Sequence, residues 1–244
     1  MAWVESDGVR MLREELANAS VVFGSRQQGE SVGPYASLNV GIGTGDDPAS
    51  VASNRRRFSE SVGLDPETVV MARQVHADGV IEHSGPDTDR AWARGEVPGR
   101  DADGHTASTP GLALAVITAD CLPVAVVGER GLGLVHCGWR GLEAGIAQKA
   151  AERVVGEVAV IGPGIGVCCY EVGEDVHTRF SDYPEAHAGR NLDLVGICRQ
   201  QLLSAGVQTV QSVDMCTCCQ HEDFFSHRRD GGITGRQGTL AWLN

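Results

Sequence analysis

Two side chains in the stretch TADCLPVAVVGERGLGLVHCGWRG, residues 118–141, can do chemistry together: the thiol of Cys121 and the imidazole of His136. Cys121 precedes an apolar run, Leu122–Val127, and His136 lies near the end of a second, Leu132–Cys137, with GERG as a four-residue turn between them. If Val127 faces Leu132 across that turn, Pro123 faces His136 and Cys121 faces Gly138. Thiol and imidazole are then diagonal neighbours on one face of a hairpin, with alpha carbons about 7–8 Å apart. Zinc bonds sulfur at about 2.3 Å and imidazole nitrogen at about 2.0–2.1 Å, so that separation suits a shared ion. A register slip of one residue would destroy the pairing.

Other residues extend the pair. His76, in QVH at the end of another predicted strand, is a ligand of the right type. Two imidazoles and one thiolate with a vacant fourth position make a catalytic rather than a structural zinc set. The motif VHCGWRG places two glycines and an Arg around a Trp, where backbone can approach a ligand and a helix N-terminus can receive an anion. Asp120 is expected at a strand end facing another way, free to orient a His or an Arg. Taken alone, the pair also fits a small buried hydrophobe beside a satisfied core histidine. A ligating Cys121 must be a thiolate, and a low-pKa thiolate is also a nucleophile, so both roles stay open.

The remaining thiols read differently. CTCC, residues 216–219, has a C-x-x-C spacing used by zinc and redox sites, but without a second Cys pair at suitable spacing it reads as buried reduced thiols. Cys168 and Cys169 precede a helix expected to start near Tyr170 or Glu171; neighbours in the chain point to different sides, which favours packing over chemistry. SHRRDGG offers guanidinium forks, Arg228 or Arg229, that match phosphate oxygens. His83, His105, His177, His187 and His221 have no comparable setting.

The elements that must position these groups alternate. Asp47 and Pro48 predict a helix cap and first turn, with a helix to about Glu60. ETVVMARQVHADGVI reads as strand, and residues 83–100 as a mobile surface loop. After Gly138 a helix carries Leu142, Ile146, Ala150 and Val154 on one face; EVAVIGPGIG is strand then loop; LDLVGICRQQLLSAGV is a helix with an Asp near its start and Gly206 past its end. Interleaved strands and helices with a hairpin among them predict an α/β fold with mixed sheets.

Bulk properties bound the partners. A chain of 244 residues, 42% hydrophobic and 21% charged, is expected to fold as a single domain over residues 1–244. Its net charge of −12 repels a phosphate backbone, which argues against nucleic acid. The start, MAWVESDGVRMLREELANAS, carries early acids and no apolar run of a secretory signal, and no stretch reaches the roughly 18 apolar residues of a membrane span. A cytoplasmic setting follows, in which the eight cysteines stay reduced.

Taken in order, SLNVG, GDDP, NRRRF, QVH, DADGHT, TADCLPV, VHCGWRGL, IGPGIGVCCYEVG, LDL and FFSHRRDGGITGRQ resemble the family once labelled multicopper polyphenol oxidase or laccase domain, from about residue 20 to residue 244. That family is also described as purine nucleoside phosphorylase and adenosine deaminase, and its bacterial members as peptidoglycan editing factors. The resemblance implies a four-layer α/β/β/α sandwich, a zinc held by His76, Cys121 and His136 as the catalytic group, and substrate contacts from Arg26, Asn39 and Arg228. It implies a purine nucleoside and phosphate as small-molecule substrates. The family's usual Gly-Gly-Val-Ser loop reads RQQGESV here, and Cys137 stands where Ala is commoner, either competing for metal or inert. Three alternatives remain: a cytoplasmic peptidoglycan-precursor amidase with Cys121 as nucleophile and His136 as base, a copper-dependent phenol oxidase, and a non-enzymatic metal-binding module. Laccase chemistry needs several coppers and many His ligands, so copper is the weaker expectation.

Overall fold

The computed structural model describes residues 1–16, 18–86 and 90–244. In chain order its elements are β1 (Ala2–Ser6), β2 (Val9–Leu16), β3 (Ala19–Gly24), α1 (Pro48–Glu60), β4 (Val69–Val70), β5 (Val80–His83), α2 (Ala91–Arg94), β6 (Gly104–Ala107) and β7 (Ala113–Thr118). Then come β8 (Leu122–Gly128), β9 (Gly131–Cys137), α3 (Trp139–Glu143), α4 (Ile146–Val154), β10 (Gly156–Ile161), α5 (Glu174–Arg179), β11 (His187–Ala188), β12 (Asn191–Leu192), α6 (Leu194–Ser204), β13 (Thr209–Ser212) and β14 (Gln237–Leu243). Two six-stranded sheets carry the fold, ordered β1-β2-β3-β14-β7-β4 and β13-β10-β8-β9-β6-β5. Both are mixed: β4 joins β7, β5 joins β6 and β13 joins β10 in parallel, and the other pairs are antiparallel.

The membership of three buried clusters gives the packing. One, with Phe23, Leu114, Val116, Ala125, Val127, Leu132 and Leu134, joins the facing sides of the two sheets. A second sets Val124, Val126, Val135 and Cys137 of the second sheet against α4 and α6. A third sets Val22, Ala115 and Leu240 of the first sheet against Phe58 of α1 and Trp92 of α2. Because β8 and β9 are buried on both faces, they read as continuous apolar runs with no polar alternation.

The hairpin register is the expected one: Val127 pairs Leu132, Pro123 pairs His136, and Leu122 pairs Cys137. Its turn is tighter than expected. The strands run on until Gly128 pairs Gly131, leaving Glu129 and Arg130 between them. Gly131 has φ +123, and a Cβ there would lie 2.3 Å from the Ala107 carbonyl, so only glycine fits.

Other elements depart further. The helix over 48–60 forms with Asp47 as its cap, accepting from the Ser50 N–H at 3.1 Å. The single strand expected around QVH is instead β4 and β5 with a loop between, since the N–H groups of Val75, His76 and Ala77 bond a carboxylate rather than a neighbouring strand. The helix after Gly138 breaks into α3 and α4 at Gly145, φ +77, although Leu142, Ile146, Ala150 and Val154 all face the core. Within the loop expected at 83–100, residues 87–89 lie outside the described residues, whereas α2 is pinned: Trp92 is fully buried and its Nε1–H donates to Ser59 Oγ at 2.8 Å. The helix expected near Tyr170 begins later, at Glu174.

Candidate metal centre

His76, Cys121 and His136 arrive from three segments, and their ligand atoms all lie within 4.8 Å of one another. His136 and Pro123 share the side of the hairpin that faces the other sheet, as does Cys121, one step beyond the end of β8. The site therefore lies at one end of the inter-sheet core, where backbone leaves the ladder. Cys137, of opposite parity, belongs to the helix-side cluster with Cys198, and burial pushes its thiol up. It faces away from the centre.

Asp103 organises the centre, and it was not assigned a role from sequence. It is fully buried beside His136, because β6 pairs antiparallel with β9 and Gly104 sits opposite Val135. Its Oδ1 accepts from His136 Nδ1 at 2.8 Å and from the His76 backbone N–H at 2.9 Å; its Oδ2 accepts from Val75 N–H at 3.0 Å and Ala77 N–H at 2.8 Å. Burial opposes ionisation of Asp103, but the His136 bond and these backbone N–H groups hold its carboxyl below the usual range. One carboxylate thus fixes the His136 tautomer, freeing Nε2 as ligand atom, and clamps the turn that presents His76 at φ +59. The signal was legible in DADGHT, an acid directly ahead of a short strand, but its partner lies 33 residues away.

The donor set fits a metal. The two imidazole rings are 4.8 Å apart and edge-to-face. Gly138 supplies the space, since a Cβ there would sit 3.1 Å from Cys121 Sγ and 3.2 Å from His76 Cδ2. Burial disfavours the Cys121 thiolate, yet the His136 charge and hydrogen bonds from His136 and His76 outweigh it and bring the thiol down to about 6. His136 rises to about 9 against its own burial, through the Cys121 charge and the Asp103 bond. Two nitrogens and a thiolate are ligands that zinc accepts readily.

A cleft of about 530 Å³ opens over these groups. Arg140, Arg228, Arg236 and His227 line it with Tyr170, Trp139 and Gln74. Asp120, with φ +97, turns away from Cys121 as expected: its Oδ1 accepts from Thr217 Oγ1 at 2.7 Å and its Oδ2 from the Arg228 backbone N–H at 2.7 Å. The Arg228 guanidinium also reaches the carbonyls of Cys169 at 3.2 Å and Glu171 at 2.9 Å. Of the residues expected to contact substrate, Arg228 lines the cleft, while Arg26 and Asn39 do not. Arg26 spends its guanidinium on the Ala36 and His221 carbonyls and lies over the Phe225 ring. Asn39 is fully buried; its Oδ1 accepts from the Gly41 and Arg236 N–H groups, so it braces an arginine that does line the cleft.

Fold and site together define a mixed α/β protein with a three-donor centre at the base of a cationic cleft. The chain belongs to the multi-copper polyphenol oxidoreductase laccase family, whose model matches residues 20–244. It is 35% identical over 233 residues to the purine nucleoside phosphorylase YfiH of Shigella flexneri, covering 90% of this chain and 91% of that protein. It is 38% identical over 254 residues to the purine nucleoside phosphorylase YlmD of Geobacillus stearothermophilus, covering 93% and 90%. The crystal structure of the Bacillus licheniformis hypothetical protein YfiH superposes with a TM-score of 0.89 at 32% identity, covering 98% of both chains. Among the described residues no helix is long and apolar enough to cross a membrane.

Proposed function

We propose that this protein is a zinc-dependent purine nucleoside enzyme that phosphorolyses inosine, adenosine and methylthioadenosine and deaminates adenosine. The observation that carries the reading is the meeting, in one cleft, of the His76, Cys121 and His136 donors with the guanidinium groups of Arg140, Arg228 and Arg236. The naming of the relatives from Shigella and Geobacillus supports it. A cleft of this size suits a nucleoside, and guanidinium forks suit phosphate. Zinc, held by His76, Cys121 and His136, would supply a Lewis acid and lower the pKa of a bound water.

The chain's own residues do the rest. In phosphorolysis a phosphate oxygen bonds the ribose C1′ as the glycosidic C–N bond breaks, and the arginines hold the anion for that attack. The departing base takes the electron pair and needs a proton, for which the exposed imidazole of His227 stands in the cleft. In deamination a water oxygen bonds purine C6 and the 6-amino group leaves as ammonia; one cleft serves both reactions if phosphate and water compete for the same face of the substrate. Asp103 keeps His136 oriented through both reactions.

A second reading draws on the chain of thiol, imidazole and carboxylate formed by Cys121, His136 and Asp103: an amidase acting on a peptidoglycan precursor, with Cys121 as nucleophile and His136 as base. Zinc-loaded protein incubated with inosine plus phosphate, adenosine alone, and a muramyl precursor separates the two. Free base with ribose 1-phosphate, and inosine from adenosine, are the expected products. Release of an amino acid without free base would favour the amidase, and no turnover of any substrate would overturn both.

A further inference from the structure

A second cluster of donors lies outside the centre just described. The sulfurs of Cys168, Cys169, Cys216 and Cys219 all lie within 4.8 Å of one another, with Cys219 Sγ 3.6 Å from Cys168 Sγ and 3.4 Å from Cys169 Sγ. This corrects the expectation of separate buried thiols. Cys168 and Cys219 are exposed, and the second Cys pair that C-x-x-C lacked in sequence is the vicinal pair Cys168 and Cys169, far upstream in the chain. Cys168 and Cys169 lie in a turn, not an extended strand, so the parity that would send neighbours to opposite sides does not hold.

We propose that these four cysteines form a closed, structural metal site for zinc, independent of the centre at Cys121. A zinc with four bonds to sulfur of about 2.3 Å has sulfur–sulfur edges of about 3.8 Å, close to the spacing already present. The backbone around the sulfurs is closely fitted to them. The Gly166 N–H donates to Cys216 Sγ at 3.2 Å, and a Cβ on Gly166 would press on Cys216 Cβ at 3.2 Å and Cys168 Sγ at 3.3 Å. Gly164 pairs with Cys216 as an isolated bridge, and the Thr217 N–H donates to the Gly164 carbonyl at 2.9 Å, so the two loops already run side by side. All eight cysteines are free of disulfides. Loading replaces four S–H bonds by four S–Zn bonds and releases the protons to solvent, with no change of oxidation state.

The ion would staple the loops that finish the cleft. The first contributes Ile165 and Tyr170 to the lining and the Cys169 and Glu171 carbonyls that hold the Arg228 guanidinium. The second contributes Thr217, whose hydroxyl holds Asp120 and whose carbonyl holds Arg229 NH1 at 3.0 Å. With four protein ligands no position is left for substrate, so the role is architectural.

Cys121→Ala removes the other centre's only thiolate, so sulfur-to-metal charge transfer in that background comes from this site. Protein purified under reducing conditions without chelator or nickel resin is analysed for zinc, then stripped and titrated with cobalt(II). The expected result is one zinc per chain, and a cobalt spectrum with the thiolate charge-transfer and ligand-field bands of a four-sulfur tetrahedral site. Adding Cys216→Ser and Cys219→Ser should remove that ion and those bands. Should the serine variant fail to fold, the cobalt spectrum of the parent still decides. A Cys121→Ala protein that takes up no metal, that gives a cobalt spectrum without sulfur ligation, or that yields a disulfide within the cluster instead would overturn the proposal.

Discussion

Asp103→Asn tests the link between the clamp and the centre. Asparagine keeps the shape of the side chain but has one accepting oxygen, whereas Asp103 accepts four N–H groups, two on each oxygen. Whichever way the amide sits, two N–H donors face an NH₂ group. Hydrogen bonds to a charged acceptor contribute about 1.5–3 kcal/mol each, and because the backbone donors are only partly buried the low end applies, so losing two costs about 3 kcal/mol. For a domain of this size about 2–4 °C accompany each kcal/mol, which puts the fall in Tm of the metal-free protein at about 6–12 °C. Zinc affinity should fall by about 10–100-fold, as for other partners that orient a metal-binding histidine. Scanning calorimetry and chelator competition measure the two quantities. Because the Asp103 carboxyl is held below its unfolded value, its contribution is complete above about pH 4 and lost as pH falls through the folded value. The gap in stability between wild type and variant should therefore narrow below about pH 4, and narrow again as pH rises from about 6.5 towards the folded His136 value of about 9, which the Asp103 bond helps to raise. A variant that melts with the wild type and holds zinc equally well would refute the reasoning.

Three further outcomes are expected. Cys121→Ala should reduce turnover by at least about 10²-fold while the metal-free protein melts within about 1 kcal/mol of wild type, since Cys121 lies beyond the end of β8 and outside the three buried clusters; wild-type turnover in assays of the variant would remove Cys121 from the site. In chelator-stripped protein, alkylation of Cys121 should rise with pH through about 6, where His136 and His76 hold its thiol, and not through the free-cysteine value of about 8.5. Mass spectrometry of the labelled peptide gives the profile, and a midpoint above about 8 would contradict the ion pair. Gly128→Ala would place a Cβ 2.1 Å from the Val155 carbonyl oxygen, so overpacking should cost about 1–3 kcal/mol or more; an unchanged denaturation midpoint would mean that the turn does not pack as described.

How much of the site was legible depended on how local its cause is. The Cys121 and His136 pairing could be read because a short glycine-bounded turn sets the register of a hairpin, and register fixes which side chains share a face. His76 was legible as a ligand type, but its position depends on Asp103, and the contact between them needs β6 to pair with β9. No local periodicity encodes such a pairing. The cysteine cluster failed for the same reason: C-x-x-C was visible, whereas its partner pair is brought near only when the loop after β10 runs beside the loop after β13. Asn39 stands in SLNVG, the first block of the family resemblance, yet it acts through backbone contacts that hold Arg236. The mixed α/β sheets were legible from alternating elements, while the β1–β2 hairpin at the start of the chain was missed.

The cleft is governed by two carboxylates that never touch the same partner. Asp103 gathers the imidazole of His136 and the backbone under His76, which is the half able to hold a cation. Asp120 gathers Thr217 and the backbone N–H of Arg228, which is the half able to hold an anion. Each acid accepts hydrogen bonds from protein donors on both oxygens. Both also stabilise left-handed backbone, at His76 and at Asp120 itself, that a residue other than glycine seldom adopts. The acid and thiol that interrupt the apolar run before β8 thus serve opposite walls: Asp120 fixes the cationic side, and Cys121, one residue later, faces His76 and His136. That reversal within two residues is what the positive φ of Asp120 provides, and it explains why a core strand can begin on two polar groups without leaving either unpaired.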